Sequence, residues 1–174
     1  MPDVRERVEA DRGLLKKIQL LIPGYAGYRR REDIRAADNI LRHQLADQVK
    51  ATRTELETIR DAMAMEGRMV GLSLLGNAIF TLQGIEGKVR HAEGGYSGFS
   101  PQIRIEEAAL DRLYEYDWAM LQALDKASAV VPMVRDAADP KGFDASMKAF
   151  NEAVRSFEAA WNNRMEAITG VQVR

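Results

Sequence analysis

The stretch that decides the fold is FDASMKAFNEAVRSFEAAWNNRMEAI, residues 143–168. Its apolar side chains recur at intervals of three, four or seven residues, and such intervals place them on one face of an α-helix. They are Phe143, Met147, Phe150, Val154, Phe157, Trp161 and Ile168. The other face carries Lys148, Glu152, Arg155, Glu158 and Arg164. Turn residues (DPKG, 139–142) precede the segment and Gly170 follows it, so we predict an amphipathic helix over 143–168.

A second segment, residues 32–65, has the same period and is longer. Its apolar stripe begins with Ile34, Ala37 and Leu41 and continues, in a slightly shifted phase, with Leu45, Val49, Thr52, Leu56, Ile59 and Met63. Strong helix formers fill the gaps without Gly or Pro, which predicts one helix about 45–50 Å long. The stripe fits a bundle interior or a coiled-coil seam to another subunit. The seam would be short and mixed in composition, which favours the bundle.

Two further segments are predicted to be helical from their apolar spacing and their boundaries. Residues 104–131 lie between Ser100-Pro101 and Pro132, and proline is tolerated near a helix start but cannot continue a helix. Residues 3–21 form the N-terminal candidate, which Pro23-Gly24 would end.

The stretch from 67 to 92 combines a helical apolar step with many glycines. They are Gly67, Gly71, Gly76, Gly84 and Gly87. Each glycine inside a helix costs about 1 kcal/mol relative to alanine, but it lets a neighbouring backbone come close. We therefore predict a helix that packs tightly in the centre of the bundle, with a break near Gly84–Gly87 as the alternative.

These segments together predict an all-α fold. Five helices without any sustained strand pattern indicate an antiparallel four-helix-type bundle with an additional N-terminal helix. Glycine-rich residues 94–99 predict a tight turn between two of the helices. A chain of 174 residues has the size of one domain, so we expect residues 1–174 to form a single unit.

The charge balance and the absence of cysteine exclude several classes of function. The chain has 25 Lys and Arg against 26 Asp and Glu, so no overall charge attracts nucleic acid, and we do not expect such a partner unless a local basic patch binds it. Without cysteine there is no disulfide, thiolate metal site or cysteine nucleophile. The sequence shows neither a secretory signal nor an apolar run of roughly 18 residues. We expect no transmembrane segment and a cytoplasmic location.

The most unusual local feature is a cluster of aromatic and basic residues between two helices: Tyr25, Tyr28, Arg29, Arg30 and Arg31. Guanidinium groups bind carboxylates and phosphates in bidentate fashion, and the following helix N-terminus adds partial positive charge. The cluster is therefore a candidate site for an anionic ligand or partner. In the alternative interpretation the arginines pair with Glu32, Asp33 and Asp38 while the tyrosines seal the end of the bundle.

Carboxylates near apolar stripes raise the question of a metal site. A ferritin-like di-metal site needs Glu-x-x-His on two helices, but Ile40 and Lys88 stand three residues before His43 and His91. A mononuclear site formed by Glu86, His91 and Asp117 is the remaining metal hypothesis. More commonly, a buried aspartate such as Asp117 is hydrogen-bonded to a tyrosine or paired with an arginine.

Residues 14–22 (LLKKIQLLI) combine an apolar face with two lysines. Such a helix can lie on a membrane surface, but its short length and broad apolar coverage favour packing against the bundle.

Two motifs resemble a family of uncharacterised bacterial helical proteins. One is IPGYAGYRRRE, residues 22–32, leading to Asp38, and the other is YSGF, residues 96–99, followed by DRLYEYD, residues 111–117. The resemblance extends over most of residues 14–125. It implies a helical fold and transfers no activity, cofactor or site residue.

The sequence therefore favours a non-enzymatic interaction or scaffold module that self-associates through a helical face. We expect a homo-oligomer with an unidentified protein partner, no cofactor and no catalytic residues, because no catalytic motif is complete. The alternatives are a binding module for an anionic ligand or nucleic acid through residues 25–31, and a metal-binding bundle enzyme.

Overall fold

The computed structural model describes the backbone of residues 4–25, 31–92 and 107–169, and the side chains of 13–25, 37–92 and 112–167. Within these residues there are five helices and no strand: α1 (Val4–Leu21), α2 (Arg31–Met65), α3 (Leu72–Arg90), α4 (Glu107–Asp136) and α5 (Pro140–Thr169). The predicted all-α class is confirmed. None of the described helices is both long and apolar enough to cross a membrane.

The apolar stripes of α2 and α5 form the centre of the core. Along α2, every stripe residue from Leu41 to Met63 is buried. This burial within one chain is what the bundle interpretation predicts, whereas a seam to another subunit does not require it. Along α5, the six stripe residues from Phe143 to Trp161 are buried as well. One prediction for α5 is wrong, because Arg164 lies fully buried rather than on the charged face. It follows Trp161 by three residues, so its position belongs to the apolar side.

Two helix boundaries differ from prediction. Helix α4 continues through Pro132 to Asp136, because Val131 and Val134 are both fully buried and anchor its last turn to the core. Helix α5 begins at Pro140 rather than Phe143. Asp139 caps it: its Oδ1 accepts a hydrogen bond from the Gly142 amide at 2.9 Å. Residues 94–99, the predicted tight turn, lie outside the described residues.

Helix α3 is continuous from Leu72 to Arg90, so the alternative of a break near Gly84–Gly87 is wrong. Its packing also differs from prediction. One face packs on α2, but a Cβ atom added at Gly76, Gly84 or Gly87 would meet nothing within 4 Å. These glycines therefore do not admit a neighbouring backbone, and α3 is an outer helix. Packing of its apolar face on α2 outweighs the low helix propensity of glycine.

The helices form two hairpins, α2–α3 and α4–α5, and each hairpin is antiparallel. Between the hairpins, α2 and α4 run parallel, since the Thr52 hydroxyl bonds the Ser128 hydroxyl at 3.0 Å and Glu55 lies 3.8 Å from Arg135 further along. Helix α1 packs on α4. The predicted antiparallel arrangement therefore holds for the two helices within each hairpin, but not for the contact of α2 with α4 between the hairpins.

Candidate functional site

A buried ionic cluster lies where α2, α4 and α5 meet. Arg164 Nε donates a hydrogen bond to Asp117 Oδ1 at 2.6 Å, and its Nη1 lies 2.8 Å from Asp38 Oδ1. The Tyr25 hydroxyl donates to Asp117 Oδ2 at 2.8 Å. Arg42 Nε donates to Asp38 Oδ2 at 2.7 Å. These five side chains, the ionic cluster, are each at most 4% exposed, so the cluster is part of the core.

The ionic cluster holds helices together rather than presenting groups to a ligand. Its described side chains include two carboxylates and two guanidinium groups, so the buried charges are paired. Arg42 Nη1 also donates to the backbone carbonyls of Val89 and Arg90, at 3.4 and 3.2 Å. These carbonyls end α3 and have no partner within an ideal helix. The cluster thereby fixes the C-terminus of α3 against α2.

Only part of the predicted tyrosine–arginine site falls within the described residues. Tyr25 is 2% exposed and its hydroxyl is directed at Asp117, so it seals the core, as the alternative interpretation of this segment expects. Tyr28, Arg29 and Arg30 lie outside the described residues, as does the side chain of Arg31. Asp38, proposed in that interpretation as a partner of these arginines, contacts Arg42 and Arg164.

The three weak metal candidates occupy different surroundings. Glu86 lies 3.4 Å from both Arg53 and Arg90. His91 is exposed and caps the end of α3, whereas Asp117 is buried in the ionic cluster. No group of three His, Asp or Glu side chains that could hold a metal ion occurs among the side chains that the structure describes.

Arg90 also bonds to α2. It donates a hydrogen bond to Asp47 Oδ1 at 2.8 Å, and this bond raises the pKa of its guanidinium. The charge of Arg90 is therefore held toward α2, whereas Lys88, the other basic residue of the last turn, is exposed.

The outer side of α3 is the surface whose composition stands out. We call it the α3 face; it consists of Ser73, Gly76, Asn77, Phe80, Gln83, Gly84 and Gly87. No charged residue occurs among the 14 residues LSLLGNAIFTLQGI, 72–85. Surface helices usually carry charged residues on the side opposite the core. An uncharged outer side is therefore a candidate contact surface.

Phe80 projects from the middle of the α3 face and is 76% exposed. Gly76 and Gly84 lie four residues before and after it, so the three residues form one row along the helix with steps of about 6 Å. Open space surrounds both glycine positions. The row therefore consists of one large apolar projection between two gaps.

Apolar exposure continues into the turn that precedes α3. Met65, Met69 and Val70 are all more than two-thirds exposed, and Leu74 follows in the first turn of the helix. Methionine adapts its shape to varied apolar partners, which makes such side chains frequent at binding surfaces.

From the sequence, the glycines of α3 are predicted to serve internal packing, and this surface does not follow from that prediction. The signal was present: residues 72–85 carry no charge, and Gly76, Phe80 and Gly84 are spaced by four. The buried residues Leu75, Ile79 and Leu82 already supply a complete core-facing side. Glycine and Phe80 on the remaining positions could have indicated an apolar outer side.

No protein-family model, curated protein or solved structure matches the chain. The family resemblance of the two motifs stays a prediction.

Proposed function

We propose that the protein is a non-enzymatic helical interaction module that self-associates through the α3 face. The observation that carries this proposal is the exposure of Phe80 in the middle of an uncharged helix side. Burying a phenylalanine side chain contributes about 1.5–3 kcal/mol, and residues 72–85 around Phe80 include no charge that has to be desolvated first. The apolar stripe of α2 is buried within the bundle, so self-association requires another surface of the molecule.

The α3 face can complement a copy of itself. When two copies pack with antiparallel α3 helices about a twofold axis, Phe80 of each copy enters the gap at Gly84 of the other. Such a contact is isologous, because the same patch serves both subunits and the assembly closes as a dimer. Small residues at the contact let the two helix backbones approach closely.

The size of the α3 face sets the expected affinity. A helix of 19 residues is about 28 Å long, and one side of it buries less than the roughly 800 Å² per partner of a standard interface. We therefore expect a dimer with a Kd of about 10 µM or weaker. The exposed turn residues Met69 and Val70 extend the apolar area beyond the helix.

Sedimentation velocity over a range of concentrations tests the proposal. We expect the wild type to shift from monomer to dimer between about 1 µM and 1 mM, and Phe80→Asp to stay monomeric. Met133→Asp is the matched control, because Met133 is 60% exposed on α4 and lies outside the α3 face. It should dimerise as the wild type does. Far-UV circular dichroism should show unchanged helix content for both variants.

A wild type that stays monomeric at about 1 mM would contradict the proposal. So would a Phe80→Asp variant that dimerises as well as the Met133→Asp variant.

A further inference from the structure

A groove of about 420 Å³ opens between α2 and α4, on a different side of the molecule from the α3 face. Leu21 at the end of α1 forms part of its wall, and Trp118, Leu121 and Leu124 of α4 are among the other apolar residues that line it. The size falls within the range of small-ligand sites, about 300–1,000 Å³. Leu21 is 53% exposed beside it, so apolar surface is available at the opening.

The charged residues that line the groove are both carboxylates, Glu55 on α2 and Asp125 on α4. The buried polar group Thr52 is already satisfied, because its hydroxyl bonds Ser128 and the Gln48 carbonyl, each at 3.0 Å. The groove therefore offers negative charge above an apolar wall.

The aromatic ring in the groove already contacts an ammonium group. Lys17 Nζ lies 5.6 Å from the centre of the Trp118 ring. Indole is the side chain that attracts cations most strongly through its ring face, within about 6 Å. A cation of the chain therefore reaches this ring, and a ligand cation would take the place of the exposed Lys17 side chain.

We propose that this groove binds an organic cation, namely an ammonium group carried on an apolar body. The ammonium group would lie between Trp118 and the carboxylates of Glu55 and Asp125, while the apolar body would cover the exposed side chain of Leu21. Charge complementarity favours this class, because both charged residues that line the groove are carboxylates. The nearby cations, Lys17 and Arg135, are exposed side chains that a ligand cation can replace.

One existing ion pair lies at the rim. Arg135 Nη2 is 3.8 Å from Glu55 Oε2, and both side chains are more than half exposed. Exposed pairs of this kind contribute little, about 0–1 kcal/mol, so a ligand ammonium group can replace the arginine.

Isothermal titration with benzyltrimethylammonium tests the proposal, with phenylacetate as the anionic counterpart. We expect saturable binding of the cation, with a Kd of about 1 mM or tighter, and at least tenfold weaker binding of phenylacetate. Tryptophan fluorescence should change along the same isotherm, because Trp118 contributes to it together with the buried Trp161.

Paired variants locate the binding. Glu55→Gln/Asp125→Asn should weaken cation binding by about tenfold, because both lining charges are removed. Asp61→Asn/Glu152→Gln makes the same charge change at exposed positions outside the groove and should leave the Kd within about twofold. Phe80→Asp should also bind normally, which separates this result from dimerisation.

The proposal is overturned if the cation fails to saturate the protein at about 10 mM. It is equally overturned if phenylacetate binds as tightly, or if the groove variant and the surface control retain equal affinity.

Discussion

At the scale of single residues, Arg164 is the side chain on which most buried charge depends. It lies between Asp117 and Asp38, and all three are at most 1% exposed. Removing one partner from a buried pair leaves a charge without compensation, which costs about 3–5 kcal/mol. We expect Arg164→Met to lower the free energy of unfolding by that amount in urea denaturation.

Arg155→Met is the control for this prediction, because Arg155 is exposed on the same helix and the substitution should change stability by less than about 0.5 kcal/mol. Equal stability of the two variants would mean that Arg164 contributes no more than a surface arginine.

Gly71 is required by two independent constraints. Its φ is +96°, and an added Cβ would lie 2.5 Å from Phe143 Cε1. Gly67 shares the first constraint with φ +73°, but a Cβ there would meet nothing within 4 Å. Gly67→Ala should therefore lower the free energy of unfolding by about 1–2 kcal/mol, because only the backbone conformation is strained. Gly71→Ala should lower it by at least about 1 kcal/mol more, because its methyl group also meets Phe143. Thermal denaturation of both variants measures the difference, and equal losses would show that Phe143 yields without cost.

Residue positions were predictable where the apolar spacing was applied without regard to residue type. Asp117, predicted as a buried carboxylate near an apolar stripe, is indeed buried. Arg164 was assigned to the outside because it is charged, although its spacing from Trp161 matches the buried side. Residue type alone misleads here because a charged group can be buried once its partners arrive from other helices, and those partners lie far away in sequence.

At the scale of the element, α3 shows how far a helix can be predicted. Its extent follows from the apolar step, and tertiary packing preserves it through three glycines. The role of those glycines could not be predicted, because a glycine that contacts a neighbouring backbone and a glycine that faces open space look the same in the sequence. Tertiary packing also explains why α4 extends beyond its predicted end. Pro132 removes one hydrogen bond of the helix, but the buried Val131 and Val134 hold its last turn against the core.

Substituting a glycine of the α3 face should raise the stability of the monomer and weaken dimerisation. Gly84→Ala should raise the free energy of unfolding of the monomer by up to about 1 kcal/mol, because alanine favours the helix. The same methyl group fills the gap that receives Phe80, so dimerisation should weaken by about tenfold. Urea denaturation of dilute protein and sedimentation of concentrated protein measure the two effects.

Gly13→Ala is the matched control, since Gly13 lies within α1 and an added Cβ meets nothing within 4 Å. It should share the gain in stability and leave dimerisation unchanged. Weaker dimerisation of the Gly13 variant, or none for Gly84→Ala, would remove α3 from the interface.

At the scale of the whole molecule, the number of helices and their buried sides were predictable, and their arrangement was not. Each amphipathic stripe shows that a helix has a buried side without showing which helix covers it. The parallel pairing of α2 with α4 depends on contacts such as Thr52 with Ser128 and Glu55 with Arg135, which join distant parts of the chain. Short turns make each hairpin antiparallel, but they do not decide how the two hairpins meet.

The proposed dimerisation through α3 would link this arrangement to the stability of the whole molecule. Because only folded chains present the α3 face, association stabilises the native state by mass action, and the thermal midpoint must rise with protein concentration. From about 1 µM to 1 mM we expect an increase of roughly 3–8 °C for the wild type. Phe80→Asp should show a constant midpoint by differential scanning calorimetry, although its packed core is unaltered. A midpoint that rises equally in both proteins would show that the molecule associates through a surface other than the α3 face.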